Sequence, residues 1–151
     1  MTETDVFSKI NSCKYLYLHE LGEPRDNSLR LVIHSARTEP LGTGVEGLRP
    51  QASTWAPIIP TKDSHRFELT WPNYVAYAVR DESFAQSSLN EIFSGHLARV
   101  YKKSDFLAYV EKATFAGPDY PGPLTHVSIL CLNHIIDVVA VGLPAVVDIA
   151  R

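Results

Sequence analysis

The chain has 151 residues, with 14 Lys and Arg against 17 Asp and Glu, for a formal charge of −3 with neutral histidines. Apolar types make up 45% and charged types 21%, the composition of a globular protein and of neither a disordered tail nor a fibre. A single domain over 1–151 with an ordinary core fits this length, and the mild acidity argues against the basic footprint of a nucleic-acid binder.

The first residues, Met1-Thr2-Glu3-Thr4-Asp5, carry two acids and no basic n-region, and no apolar h-region follows. The longest apolar stretch, Ile135 to Val147, is interrupted by Asp137, Gly142 and Pro144 and falls short of the roughly 20 residues that span a bilayer. A cytoplasmic protein without a membrane segment is expected. Cys13 and Cys131 then read as free thiols behaving as small hydrophobes rather than as a bridge.

Tyr15 to His19 and Leu29 to Ile33 flank the turn-rich Gly22 to Asn27 and predict a β-hairpin. Leu29, Leu31 and Ile33 share one face and Arg30 and His34 the other, the period of a half-buried strand. From Arg37 to Ser64 prolines alternate with glycines, which predicts a long loop broken by a short strand at Trp55 to Ile59. Arg66 to Trp71 alternates polar and apolar residues and meets Pro72-Asn73, after which Tyr74 to Val79 is rich in β-branched and aromatic residues. The two runs predict a second hairpin turning at Pro72-Asn73. A strand is expected from about His96 to Tyr101. Ser104 then stands at an N-cap position with Asp105 in the first turn, and Phe106, Val110 and Ala113, with Leu107 beside them, stripe one face of a helix over Asp105 to Thr114. Gly117 to Pro123 ends it, and Val127 to Leu132 and Ile135 to Val141 supply two more strands. The expected architecture is α+β: a twisted, mainly antiparallel sheet packed against one principal helix.

Gly42-Thr43-Gly44-Val45-Glu46-Gly47 matches GxGxxG, but Pro50 follows and no amphipathic helix opens from it. The dinucleotide fingerprint needs that helix for its phosphate-facing amides, so no cofactor is expected. Cys131-Leu132-Asn133-His134 has CxxH spacing without a compact second pair, which is half of a zinc site, and no metal is expected. In an extended segment residues three apart face opposite ways, which also weakens His134 with Asp137 as a dyad. There is no GxSxG elbow. Triads assemble from distant positions, so Ser83, His96, His126 and Asp137 remain candidates whose convergence sequence cannot test, and the catalytic set is unknown.

Arg80-Asp81-Glu82-Ser83 closes an aromatic strand at a sheet end. The bland reading is a solvated turn whose charges pair for less than ~1 kcal/mol. The sharper one is a recognition patch of Tyr74, Tyr77, Arg80 and Glu82, bordered by Tyr120 and Trp55, because Tyr and Arg are enriched at binding hot spots.

The run Phe67 to Ser83, with Thr114-Phe115-Ala116, Asp119 to Pro123 and Asn133 to Val138, resembles an uncharacterised family of small bacterial α+β proteins. The resemblance covers the second half of the chain. It implies a compact bacterial α+β domain and assigns no catalytic residue. By analogy of size and class, such proteins include immunity proteins that neutralise toxins by direct binding. The first expectation is therefore a cytoplasmic protein-binding module of immunity type with a protein partner, leaning away from an enzyme. The alternative is a small enzyme or small-molecule-binding domain whose pocket gathers His96, His126 or His134 with Arg80 and Glu82. A homo-oligomeric structural subunit is a third reading.

Overall fold

The computed structural model describes residues 6–36, 65–86 and 88–149. The GxGxxG run, the short strand at Trp55 to Ile59 and the rest of the expected loop lie outside the described residues. A short helix, α1 (Ser8–Ser12), precedes β1 (Tyr15–Gly22) and β2 (Leu29–Ala36). Further along the chain come β3 (Arg66–Trp71), β4 (Tyr74–Asp81), β5 (Ile92–Gly95), β6 (Ala98–Lys103), α2 (Asp105–Ala113), β7 (Thr125–Leu130), β8 (His134–Ala140) and β9 (Ala145–Asp148).

The α+β class, the antiparallel pairing and the one main helix are as expected, but the strands divide between two sheets where one was expected. One sheet has the order β1-β2-β3-β9 and the other β4-β8-β7-β6-β5, with every pairing antiparallel. The first hairpin, β1 with β2, forms as predicted. The second does not: β3 pairs with β2 and β9, and β4 pairs with β8. Pro72-Asn73 is thus a crossing between sheets. Proline offers no N–H to a ladder, and the first amide of β4, Tyr74 N–H, donates to Asn27 O at 2.9 Å rather than across to β3.

The inward faces of both sheets share one core. Leu29, Leu31 and Ile33 of β2 and Phe67, Leu69 and Trp71 of β3 cluster with Val127, Ile129, Ile136, Val138 and Ala140 of β7 and β8. Each large side chain so buried contributes roughly 1.5–3 kcal/mol, and β3 supplies three of them by strict alternation of buried and half-buried positions. Two asparagines pin the edges. Asn133, in the β7–β8 turn, accepts from Leu18 N–H and donates to Leu18 O, where a bulge interrupts β1. Asn11 Oδ1 accepts from the N–H groups of His96, Leu97 and Ala98 and so holds the β5–β6 turn. Gly95 in that turn has φ +102°, and a Cβ there would lie 2.1 Å from Ala98 O, so only glycine closes it.

The outer face of the five-stranded sheet carries α2, which lies over β7 and β8. Ser104 caps the helix as expected, its Oγ accepting from Leu107 N–H at 3.0 Å. Val110 is the fully buried residue of its stripe. Among the described residues no helix is long and apolar enough to cross a membrane.

Candidate pocket on the outer face of the five-stranded sheet

Register puts four side chains in one row across the outer face: Ala78 of β4, Asp137 of β8, Ser128 of β7 and Arg99 of β6. Two of the four are small, and the rows beside them are large. On one side stand Phe93, Tyr101 and His126, and on the other Arg80, Ile135 and Leu130. A trough between bulky rows is the physical result. Asp105 and Phe106 of α2 line it together with Ala85, Gln86, Ser88 and Glu91, giving a pocket of about 540 Å³, within the range of small-molecule sites. Glu91 is tied to the helix, its Oε2 accepting from Asp105 N–H at 3.0 Å.

A hydrogen-bonded chain runs beneath this trough. His126, 2% exposed, has Nε2 at 2.8 Å from Asp137 Oδ1 and Nδ1 at 2.6 Å from Ser104 Oγ. Arg80 donates from its terminal nitrogen to Asp137 Oδ2 at 3.1 Å. Burial pushes the Asp137 carboxyl up, but the His126 bond and charge, the Arg80 charge and the Ser128 hydroxyl outweigh it and hold it below its ordinary value. Asp137 is then an acceptor, so Nε2 carries a proton toward it, and Ser104 Oγ meets the second ring nitrogen; the Nε2 proton is assigned from the network. Tyr101 stacks on the imidazole at 4.5 Å and Phe106 lies tilted against it at 5.3 Å.

The order Ser–His–Asp is that of a nucleophilic triad, but the serine does not reach the trough. Ser104 is 5% exposed, outside the pocket lining, and its oxygen already accepts from the helix amide. Both imidazole nitrogens are engaged as well. The chain therefore orients Asp137 and Arg80 at the pocket floor and leaves Ser104 as a helix cap.

Of the residues proposed from sequence as a triad, His126 and Asp137 converge, and the serine they meet is Ser104 in place of Ser83. Ser83 N–H donates to Asp81 Oδ1 in an exposed 3-10 turn. His96 is exposed in the β5–β6 turn, and His134 opens β8 with its Nδ1 buried and without a hydrogen bond. Neither lines the pocket, nor does Glu82. The expected patch is spread over several surfaces. Tyr74 and Tyr77 pack partly against the core and both donate to Glu23 Oε2, at 2.7 and 3.1 Å. Arg80 points to the opposite face, Glu82 is exposed beyond β4, and Tyr120 stacks on Phe115 at 6.4 Å in its own loop. Cys13 is half-buried and Cys131 buried, both as free thiols, and among the described residues no cluster of His, Cys, Asp or Glu could hold a metal.

Sequence reasoning missed Ser128, Arg99 and Tyr101 as partners of this site. The alternation His126-Val127-Ser128-Ile129 was the available signal, since it places His126 and Ser128 on one face. No family model, curated protein or solved structure matches the chain.

Proposed function

We propose that the protein is a small-molecule-binding domain whose ligand occupies the trough on the outer face of the five-stranded sheet. The observation that carries this reading is the buried Ser104–His126–Asp137 chain ending on half-exposed Arg80 at the floor of an open pocket. A buried imidazole–carboxylate pair costs several kcal/mol of desolvation, and a well-packed apolar pair would fill the same space without that cost. Such groups converging in a cleft are the usual mark of a binding site. Ala78, on the edge strand at one end of the row and in the pocket lining, provides the test. Ligand-observed NMR with a fragment collection should find binders competing for one site, and Ala78→Phe, which fills the trough from within, should abolish them while the fold is kept. Binders unaffected by Ala78→Phe would refute the pocket as their site.

A second reading, the protein-binding module of immunity type, is supported by Phe115 and Tyr120. These two rings are 88% and 69% exposed, stack nearly parallel, and are of the type that anchors interfaces. Native mass spectrometry of gently purified protein would separate the two. A stoichiometric protein partner lost in Phe115→Ala favours this reading, and a retained small molecule favours the pocket.

A further inference from the structure

The hydrogen-bond inventory of the trough is lopsided. Both Asp137 oxygens are taken, one by His126 and one by Arg80, and one Glu91 oxygen is taken by the helix amide. Asp105 lies in the first turn of α2, where the helix dipole favours its charge. The donors are far less committed. Arg80 uses one N–H on Asp137. Arg99 uses Nε–H on His96 O and lays its guanidinium over Phe93 at 4.2 Å. A guanidinium has five donors, so among the described residues most of those on these two arginines lack a protein acceptor. Between them lies Ser128, 1% exposed. Its hydroxyl helps to hold Asp137 charged yet completes no well-formed hydrogen bond. One wall is aromatic: Phe93 packs on Tyr101 at 5.1 Å and Tyr101 on His126 at 4.5 Å, a ladder across three strands.

We infer that the ligand is an aromatic anion, its carboxylate or phosphate head taken by the uncommitted donors of Arg99 or Arg80 and its ring set against the aromatic wall. This deepens the pocket reading and rests on it. Arginine favours planar, acceptor-rich heads because its fork donates in pairs. The Ser128 hydroxyl, which leans on the Asp137 carboxylate without completing a well-formed bond, is the kind of buried group whose proton a ligand oxygen can share. The aromatic wall adds apolar contact for a flat body.

The test uses amide-resolved NMR titration of the whole chain at constant ionic strength. Four probes are compared: benzoate, phenyl phosphate, the neutral isostere benzamide, and inorganic phosphate alone. Benzoate or phenyl phosphate should move the amides of Arg99, Tyr101 and Ser128, and whichever binds tighter names the head group. Benzamide should bind about tenfold or more weakly, the loss expected when a charge-assisted bond is replaced by a neutral one. Arg99→Gln should erase that difference, with Arg80→Gln as the second variant should the first disturb the Phe93 stack. Benzamide matching benzoate, or an unchanged preference in both variants, would overturn the anionic head. Inorganic phosphate matching phenyl phosphate would overturn the aromatic body. In each of those cases the pocket itself survives. If none of these probes, and no neutral or cationic fragment, moves the pocket amides, the reading of the trough as a ligand site fails.

Discussion

Asp137→Ala should be among the most destabilising polar substitutions in the protein, and Arg80→Ala much milder, although the two residues share a salt bridge. Removing the carboxylate leaves the His126 Nε2–H without its acceptor in a ring that is 2% exposed, and water entering from the trough replaces the lost bond only in part. Breaking one side of a buried, charge-assisted pair costs about 3–5 kcal/mol. The Arg80 side chain is 49% exposed, and although its removal frees Asp137 Oδ2, the opening it leaves admits water to that oxygen, so its share is smaller, on the order of 1 kcal/mol. Against a typical total of 5–15 kcal/mol, the first loss is a large fraction and the second is small. Guanidinium unfolding with unchanged slope measures both. His126→Phe combined with Asp137→Ala should recover part of the loss, because it removes the orphaned donor and keeps an aromatic ring against Tyr101. The reasoning is refuted if Asp137→Ala costs under ~1 kcal/mol, if Arg80→Ala costs as much as Asp137→Ala, or if the double variant is no more stable than the single one.

The same carboxylate sets an acid limit. Its folded pKa lies below the ordinary value of 3.8, so its stabilisation is complete above that value and is lost as pH falls through the lowered one. The stability gap between the parent and Asp137→Asn should narrow as pH falls below about 3.8; a gap that widens through that range contradicts the sign. On the other side of the molecule, Tyr74 is pushed up to about 12, first by its hydrogen bond to Glu23. Glu23→Gln should move the phenols of Tyr74 and Tyr77 toward ordinary titration in an ultraviolet pH titration, Tyr74 the more, and an unchanged curve would remove Glu23 as the cause. Burial alone pushes the Cys131 thiol up to about 12, so a disulfide reagent at mildly alkaline pH should modify it only on unfolding. Rapid labelling of Cys131 in the native protein would contradict its burial.

Ser104 shows how far local chemistry reaches in the sequence. A serine before Asp105 and a stripe at Phe106 and Val110 are enough to place the helix and its cap, because capping and amphipathicity act within one or two turns. The same residue also shows where legibility stops. Its second partner, His126, is 22 positions away and is brought there by the β6–β7 register. Likewise Tyr77 and Arg80 are near neighbours in sequence, but three positions along a strand reverses the face. One packs against the core and the other reaches the pocket. The intended patch was therefore divided by the alternation that had revealed the strand.

The amino-acid order determined by itself where most strands run, which side chains alternate, and where the main helix starts, since these follow from period, turn chemistry and caps along a few residues. Only the tertiary structure decided that β3 and β4 part into different sheets and that Ser104, His126, Asp137 and Arg80 line up across four elements. Alternation with a period of two names the face of a strand and is silent about its partner and register, which non-local packing of the shared core selects.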